Sequence, residues 1–176
     1  MKCEFAAVRV VPLALLLYGI VSSHQALAQS EEREPAAVLE IGAAPSWSLT
    51  DPGSSLGPTV AVEFTPIKKW LELEIGVTPS FGGHSTEWST DLLFKKPWDL
   101  TPKIEFMAGV GPAFLRSRSY GRIQYSMSAE VIADFMFWTS PTHRFGWYLE
   151  PGYDYSFAAG HERSAGIAIG VLFGIR

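Results

Sequence analysis

Apolar and polar residues alternate with period two along most of the chain, the signature of strands with one face in each kind of environment. Eight such segments are predicted, at 37–50, 57–65, 70–79, 86–96, 103–116, 122–138, 144–157 and 163–176, joined by short connections rich in Gly, Pro and Ser. The apolar phase runs Leu39, Ile41, Ala43, Pro45, Trp47, Leu49 in the first segment and Leu71, Leu73, Ile75, Val77 in the third. In the sixth it runs Ile123, Tyr125, Met127, Ala129, Val131, Ala133, Phe135, Phe137, and in the eighth Ala165, Ile167, Ile169, Val171, Phe173, Ile175. No residue of this phase is charged, and only Thr90 in the fourth segment is plainly polar.

The opposite phase holds Glu40, Glu63, Glu72, Glu74, Glu87, Asp91, Glu105, Glu130, Asp134, Glu150 and Asp154 among many glycines, with Lys95 and Lys103 as its positive charges. Alternation alone does not say which face is outside. An eight-stranded barrel has a narrow interior that bulky side chains would overfill and small ones fit. A water-facing surface mixes both signs of charge, and this one is almost wholly acidic. Aromatic residues also gather at the segment ends. Phe64, Trp70, Phe94, Trp98, Phe137, Trp138, Phe145 and Trp147 lie at one end, and Trp47, Phe81, Trp88, Phe114, Tyr125, Tyr153, Tyr155 and Phe157 toward the other. Paired aromatic girdles belong where amphipathic rings meet lipid headgroups. The expected fold is therefore all-β, an eight-stranded antiparallel up-and-down transmembrane β-barrel with its apolar face outward.

Composition agrees. Of 176 residues 47% are hydrophobic, 13% aromatic and only 18% charged, which excludes a disordered chain. A formal charge of −4 argues against a nucleic-acid partner, and a single cysteine excludes a disulfide framework. The N-terminus reads as an address. Lys2 and Arg9 precede the apolar run Val10 to Val21, and Ala26-Leu27-Ala28 offers a small-x-small cleavage site. Such a run reaches about 18 Å as a helix, short of a hydrocarbon core of about 30 Å. The expected organisation is a cleaved export signal at 1–28, which removes Cys3, a flexible acidic tail at 29–36 and a barrel at 37–176.

With its eight alternating segments, aromatic girdles and export signal, the chain resembles the superfamily of small outer-membrane β-barrels of the OmpA/OmpX type. That resemblance implies a bacterial outer-membrane location, with both termini and the turns 66–69, 97–102 and 139–143 facing the periplasm. Its implied partners are outer-membrane lipid and the export and barrel-assembly machinery, with a monomer as the expected unit and no cofactor.

Two constellations stand out as candidate sites. The first is the acidic lumen, Glu40, Glu63, Glu72, Glu74, Asp91, Glu105, Glu130, Asp134, Glu150 and Asp154. It is expected to form a hydrogen-bonded polar filling, with Arg116, Arg122, Arg144 and Arg163 near strand ends able to neutralise part of it. The alternative is a narrow cation-preferring conduit. Acidic oxygens also suit Ca²⁺ or Mg²⁺, but no spacing resembles a calcium loop or a histidine zinc site, so no metal is expected. The second is a near-repeat at the rim. Gly42-x-x-Pro45-x-Trp47, Gly76-x-x-Pro79-x-Phe81 and Gly109-x-x-Pro112-x-Phe114 fall on alternate strands, which run the same way. Proline lacks a ladder donor, so a ring of bulges near the outer rim is expected, with a lateral opening for an apolar ligand as the sharper possibility.

Some small barrels of this kind act on lipid. The candidate residues here are His84, Ser85 and Glu87 in one outer loop and His161, Glu162 and Ser164 in another. The His-x-Ser-Asn segment of the lipid A 3-O-deacylases does not occur in the chain, and the apolar face carries no Ser, His or acid. The expectation is a non-enzymatic protein with a structural or envelope-integrity role, porin-like in architecture. A soluble exported barrel that binds a small apolar ligand is the remaining alternative.

Overall fold

The computed structural model describes residues 35–82, 85–119 and 121–176. The expected export signal, most of the expected tail and His84 lie outside the described residues. The chain folds into β1 (Ala37–Ser48), β2 (Ser54–Ile67), β3 (Leu71–Gly82), β4 (Ser85–Thr101), β5 (Ile104–Ser119), β6 (Arg122–Trp138), β7 (Phe145–Ser156) and β8 (Arg163–Ile175). Each strand pairs antiparallel with its sequence neighbours, and β1 pairs with β8 to close the barrel. Closure leaves no strand edge unpaired, the condition a sheet must meet in hydrocarbon.

All eight expected segments are strands, but several run longer than the alternation suggested. β4 continues to Thr101 instead of ending before Pro97. The reason lies in its neighbours. The β3 ladder reaches only the Glu72–Lys95 pair, so beyond it Pro97 owes no donor on that side, while Pro97 opposite Met107 and Trp98 opposite Phe106 continue the β5 ladder. The connection that was expected to span 97–102 shrinks to Pro102 and Lys103. Lys103 consequently sits exposed in a turn, and among the described residues Lys95 is the one buried lumen lysine.

The outward face is the apolar phase. Ile41, Val60, Ile75, Val110, Val131 and Ile169 are all exposed, Val110 to 55%. Rings from adjacent strands pack on one another across this face. Phe137 stacks on Trp147 at 3.9 Å and Trp98 on Phe106 at 5.5 Å, both directly cross-strand pairs. Trp138 departs from the expected girdle. It follows Phe137 in β6, so the pleat turns it inward, where it is 4% exposed and stacked on His143.

The rim prolines interrupt the ladder without bulging it. Pairing of β1 with β8 stops between Ala43–Ile169 and Ser46–Gly166, leaving Pro45 unpaired on that side, and then resumes in the same register. β5 and β4 behave alike around Pro112, between Asp91–Ala113 and Phe94–Val110, as do β3 and β2 around Pro79, between Leu56–Phe81 and Val60–Val77. A fourth interruption surrounds Pro151, between Ile132–Gly152 and Phe135–Leu149. Every one of these prolines is paired normally on its other side, opposite Leu56, Trp88, Ala129 and Ile167. A missing N–H accounts for the gap, and an unchanged register rules out an inserted residue. The register shifts that do occur, after Phe64 and after Asp99, lie at the opposite, turn-bearing end.

Candidate functional site: the barrel interior

The inward phase builds three layers. At the end carrying the termini, Val38, Met107, Met136, Trp138, Tyr148 and Leu172 form a buried apolar floor. The acidic, glycine-rich pattern of the inward phase concealed this floor, because its six members are scattered over five strands, with only Met136 and Trp138 sharing one. Small residues make room for the largest of them. Gly42 and Gly170 are paired between β1 and β8, and a Cβ on Gly170 would come within 2.7 Å of Tyr148 Cε1, while one on Gly42 would come within 2.6 Å of the Tyr148 hydroxyl. Gly170 is also the direct partner of Tyr148 between β7 and β8, so the Tyr148 ring lies flat along the inner wall over the glycines of the two neighbouring strands.

Above the floor sits a charge cluster around one cation. Lys95 is 1% exposed and its Nζ donates to Asp134 Oδ2 at 2.9 Å. Glu150 lies at 3.0 Å, Glu63 at 3.3 Å, and Glu74 completes the set. Four strands other than its own, β2, β3, β6 and β7, therefore converge on the one ammonium. Burying five ionisable groups is costly, and the ammonium is the element that offsets mutual repulsion of the acids. The carboxylate oxygens of Glu40, Glu63 and Asp134 come within 4.8 Å of one another, a spacing at which a metal ion could be held. Lys95 Nζ already contacts two of the three, so a metal would have to share its ligands with a resident positive charge. Glu72 and Glu105 flank this layer on β3 and β5, Glu72 within reach of the Thr65 hydroxyl at 3.4 Å.

The loop-bearing half of the interior is open and polar. A cavity of about 750 Å³ is lined by Asp91, Glu130, Asp154 and Glu87 together with many Ser and Thr hydroxyls, and it descends to Glu74 and Glu150. Some hydroxyls pair across strands, Ser46 with Ser55 at 2.7 Å and Thr78 with Thr59 at 2.8 Å. Glu130 and Asp154 stand directly opposite each other on β6 and β7. Each of the ten expected lumen acids falls on the inward face. The structure divides them between the lysine cluster and this open cup.

The rim motifs lie in the wall, not in the interior. Pro45, Pro79 and Pro112 occupy the outward phase, with Trp47, Phe81 and Phe114 exposed toward the loop end. Gly42, Gly76 and Gly109 face inward, where Gly76 lies beneath the Asp91 carboxylate and Gly109 beside the Lys95 chain. A fourth Pro-x-aromatic segment, Pro151-x-Tyr153, breaks the repeat by carrying Tyr148 where the others have glycine.

Of the residues weighed for catalysis, His84 lies outside the described residues, and Ser85, Glu87, Glu162 and Ser164 border the cup. His161 Nδ1 lies 3.2 Å from the Tyr155 hydroxyl, and Ser85 donates to the Gly82 carbonyl at 3.0 Å. Glu162 and Ser164 line the mouth of the cup. Among the described residues no serine hydroxyl is hydrogen-bonded to a histidine, the pairing a serine nucleophile requires.

No family model matches the chain. No curated protein matches it by sequence. Solved structures do match. Neisserial surface protein A is similar at 14% identity over 79% of this chain and 96% of its own, with a TM-score of 0.65. The N-terminal β-barrel domain of Pseudomonas aeruginosa OprF is similar at 16% identity over 79% of this chain and 98% of its own, with a TM-score of 0.56. Ail, the attachment invasion locus protein of Yersinia pestis, is similar at 13% identity over 80% of this chain and 98% of its own, with a TM-score of 0.57. At such identities the likeness is one of fold, and that fold is the small eight-stranded transmembrane β-barrel that the sequence resembles.

Proposed function

We propose that the protein resides in the bacterial outer membrane and serves a structural, envelope-integrity role, with outer-membrane lipid as its surroundings and the export and barrel-assembly machinery as its route there. The observation that carries this reading is the outward face: an apolar belt, exposed on every strand and edged by aromatic rings at both ends, around a closed ladder. In water, exposed apolar area costs about 25 cal/mol per Å² relative to burial, so a belt of this extent calls for lipid. The buried floor of Met107, Met136, Tyr148 and Leu172 supports a closed barrel over a conduit, because it blocks the path below the lysine cluster.

Fractionation of a two-membrane bacterium that makes the full chain tests location, and sensitivity of a deletion strain to bile salts and hydrophobic dyes tests role. The expected result is protein in the detergent-extracted outer-membrane fraction and raised sensitivity in the deletion strain. Detergent-free recovery from the periplasm would overturn the location, and an unchanged permeability barrier would overturn the role.

A further inference from the structure

We propose that the loop-end cup of the barrel binds a small organic amine bearing two or more primary ammonium groups. Its volume of about 750 Å³ lies within the roughly 300–1,000 Å³ typical of pockets that enclose small organic molecules. Four carboxylates, Glu87 and Asp91 from β4, Glu130 from β6 and Asp154 from β7, face into it. Among the described residues none of the four is in an ion pair, and the only cationic side chain lining the cup is Arg163 at its mouth.

A second observation points to an occupant. Ser128 lines the same cavity, is 1% exposed, and its Oγ has no hydrogen-bond partner among the described residues. A buried hydroxyl without a partner is costly, and an ammonium donor in the cup would satisfy it. The adjacent layer shows how this interior holds such a group, since Lys95 is itself an alkylammonium gripped by four carboxylates. One storey above, carboxylates recur without a lysine.

Separation of the acids favours an organic polycation over a metal ion. Among the described residues, the one group of three carboxylates with oxygens within 4.8 Å of one another is Glu40, Glu63 and Asp134, which belongs to the lysine layer. The cup's acids form no such convergent group, which suits charges spread along a chain, and Leu115 in the cavity wall suits the methylenes between those charges.

Calorimetric titration of spermidine into the refolded full-length barrel in zwitterionic detergent at low salt tests the assignment, in a setting that does not depend on which membrane the protein occupies. One-to-one saturable binding is expected. The Glu130→Gln/Asp154→Asn variant should weaken it by about tenfold or more, since it neutralises the two carboxylates that stand opposite each other on β6 and β7. Glu87→Arg, which plants a cation at the mouth, should weaken it comparably and guards against a folding defect in the double variant. Asp99→Asn, exposed at the other end, should leave it unchanged. Heat-modifiable gel migration verifies that each variant is folded. Absence of saturation, equal affinity in the folded double variant and in Glu87→Arg, or displacement of spermidine by magnesium beyond the effect of matched sodium chloride would each overturn the proposal.

Discussion

Lys95 is the residue on which the interior turns. Its ammonium is the one cation among the described residues that reaches Glu63, Glu74, Asp134 and Glu150, and it is wholly enclosed by them. Lys95→Met keeps the length of the side chain and removes the charge. Breaking a buried pair by deleting one partner costs about 3–5 kcal/mol, because the remaining charges are left uncompensated. Urea unfolding of the refolded barrel in lipid vesicles should show a loss of that size, whereas Lys103→Met, in an exposed turn, should be neutral. Equal effects would mean that the cluster is not organised around Lys95. The sequence alone made these two lysines look equivalent, since both fall in the inward phase of an extrapolated strand. Only the position of the turn at Pro102 separates them.

The odd-numbered strands share a device. β1, β3, β5 and β7 each carry an outward proline whose ladder to the preceding strand is interrupted while the ladder to the following strand is intact. Four alternate seams of the wall are thus loosened at one place each, without change of register. Pro112→Val should supply the absent donor opposite Leu92 and raise unfolding free energy by about 0.5–1.5 kcal/mol, the net worth of one hydrogen bond. Amide exchange at the new Val should be slow if the bond forms. The matching change at Pro79 should gain less, because the register places Pro58 opposite it and a second donor is missing there. Three of the four motifs were legible as a repeat. Their meaning was not, since a proline spacing does not reveal whether the partner strand slips or merely skips a bond.

For the whole barrel, the apolar floor beneath a polar cup predicts a vessel closed at one end. Planar bilayers containing the unaltered protein should show no steady conductance. Tyr148→Ala, which uncovers the Gly42–Gly170 patch, should produce small openings. Steady current through the unaltered barrel would show that Met107, Met136, Tyr148 and Leu172 part readily, and would favour the conduit reading. Thiol probes at Leu73 and Glu74 complete the picture. The first should report hydrocarbon and the second an enclosed polar space, because successive residues of a strand face opposite sides of the wall.

The number of strands and their antiparallel order were determined by the sequence, because a period of two lets one phase be read independently of every contact, and the bulk of the apolar phase with its aromatic girdles set that face outward. Placement of the acids on the inward face follows from the same rule. What lies between the strands did not follow. The apolar floor, the convergence of four strands on Lys95 and the inward turn of Trp138 depend on which residues meet across the lumen at one height. That height is set by the register and closure of the ladder, and both emerge only when β1 finds β8.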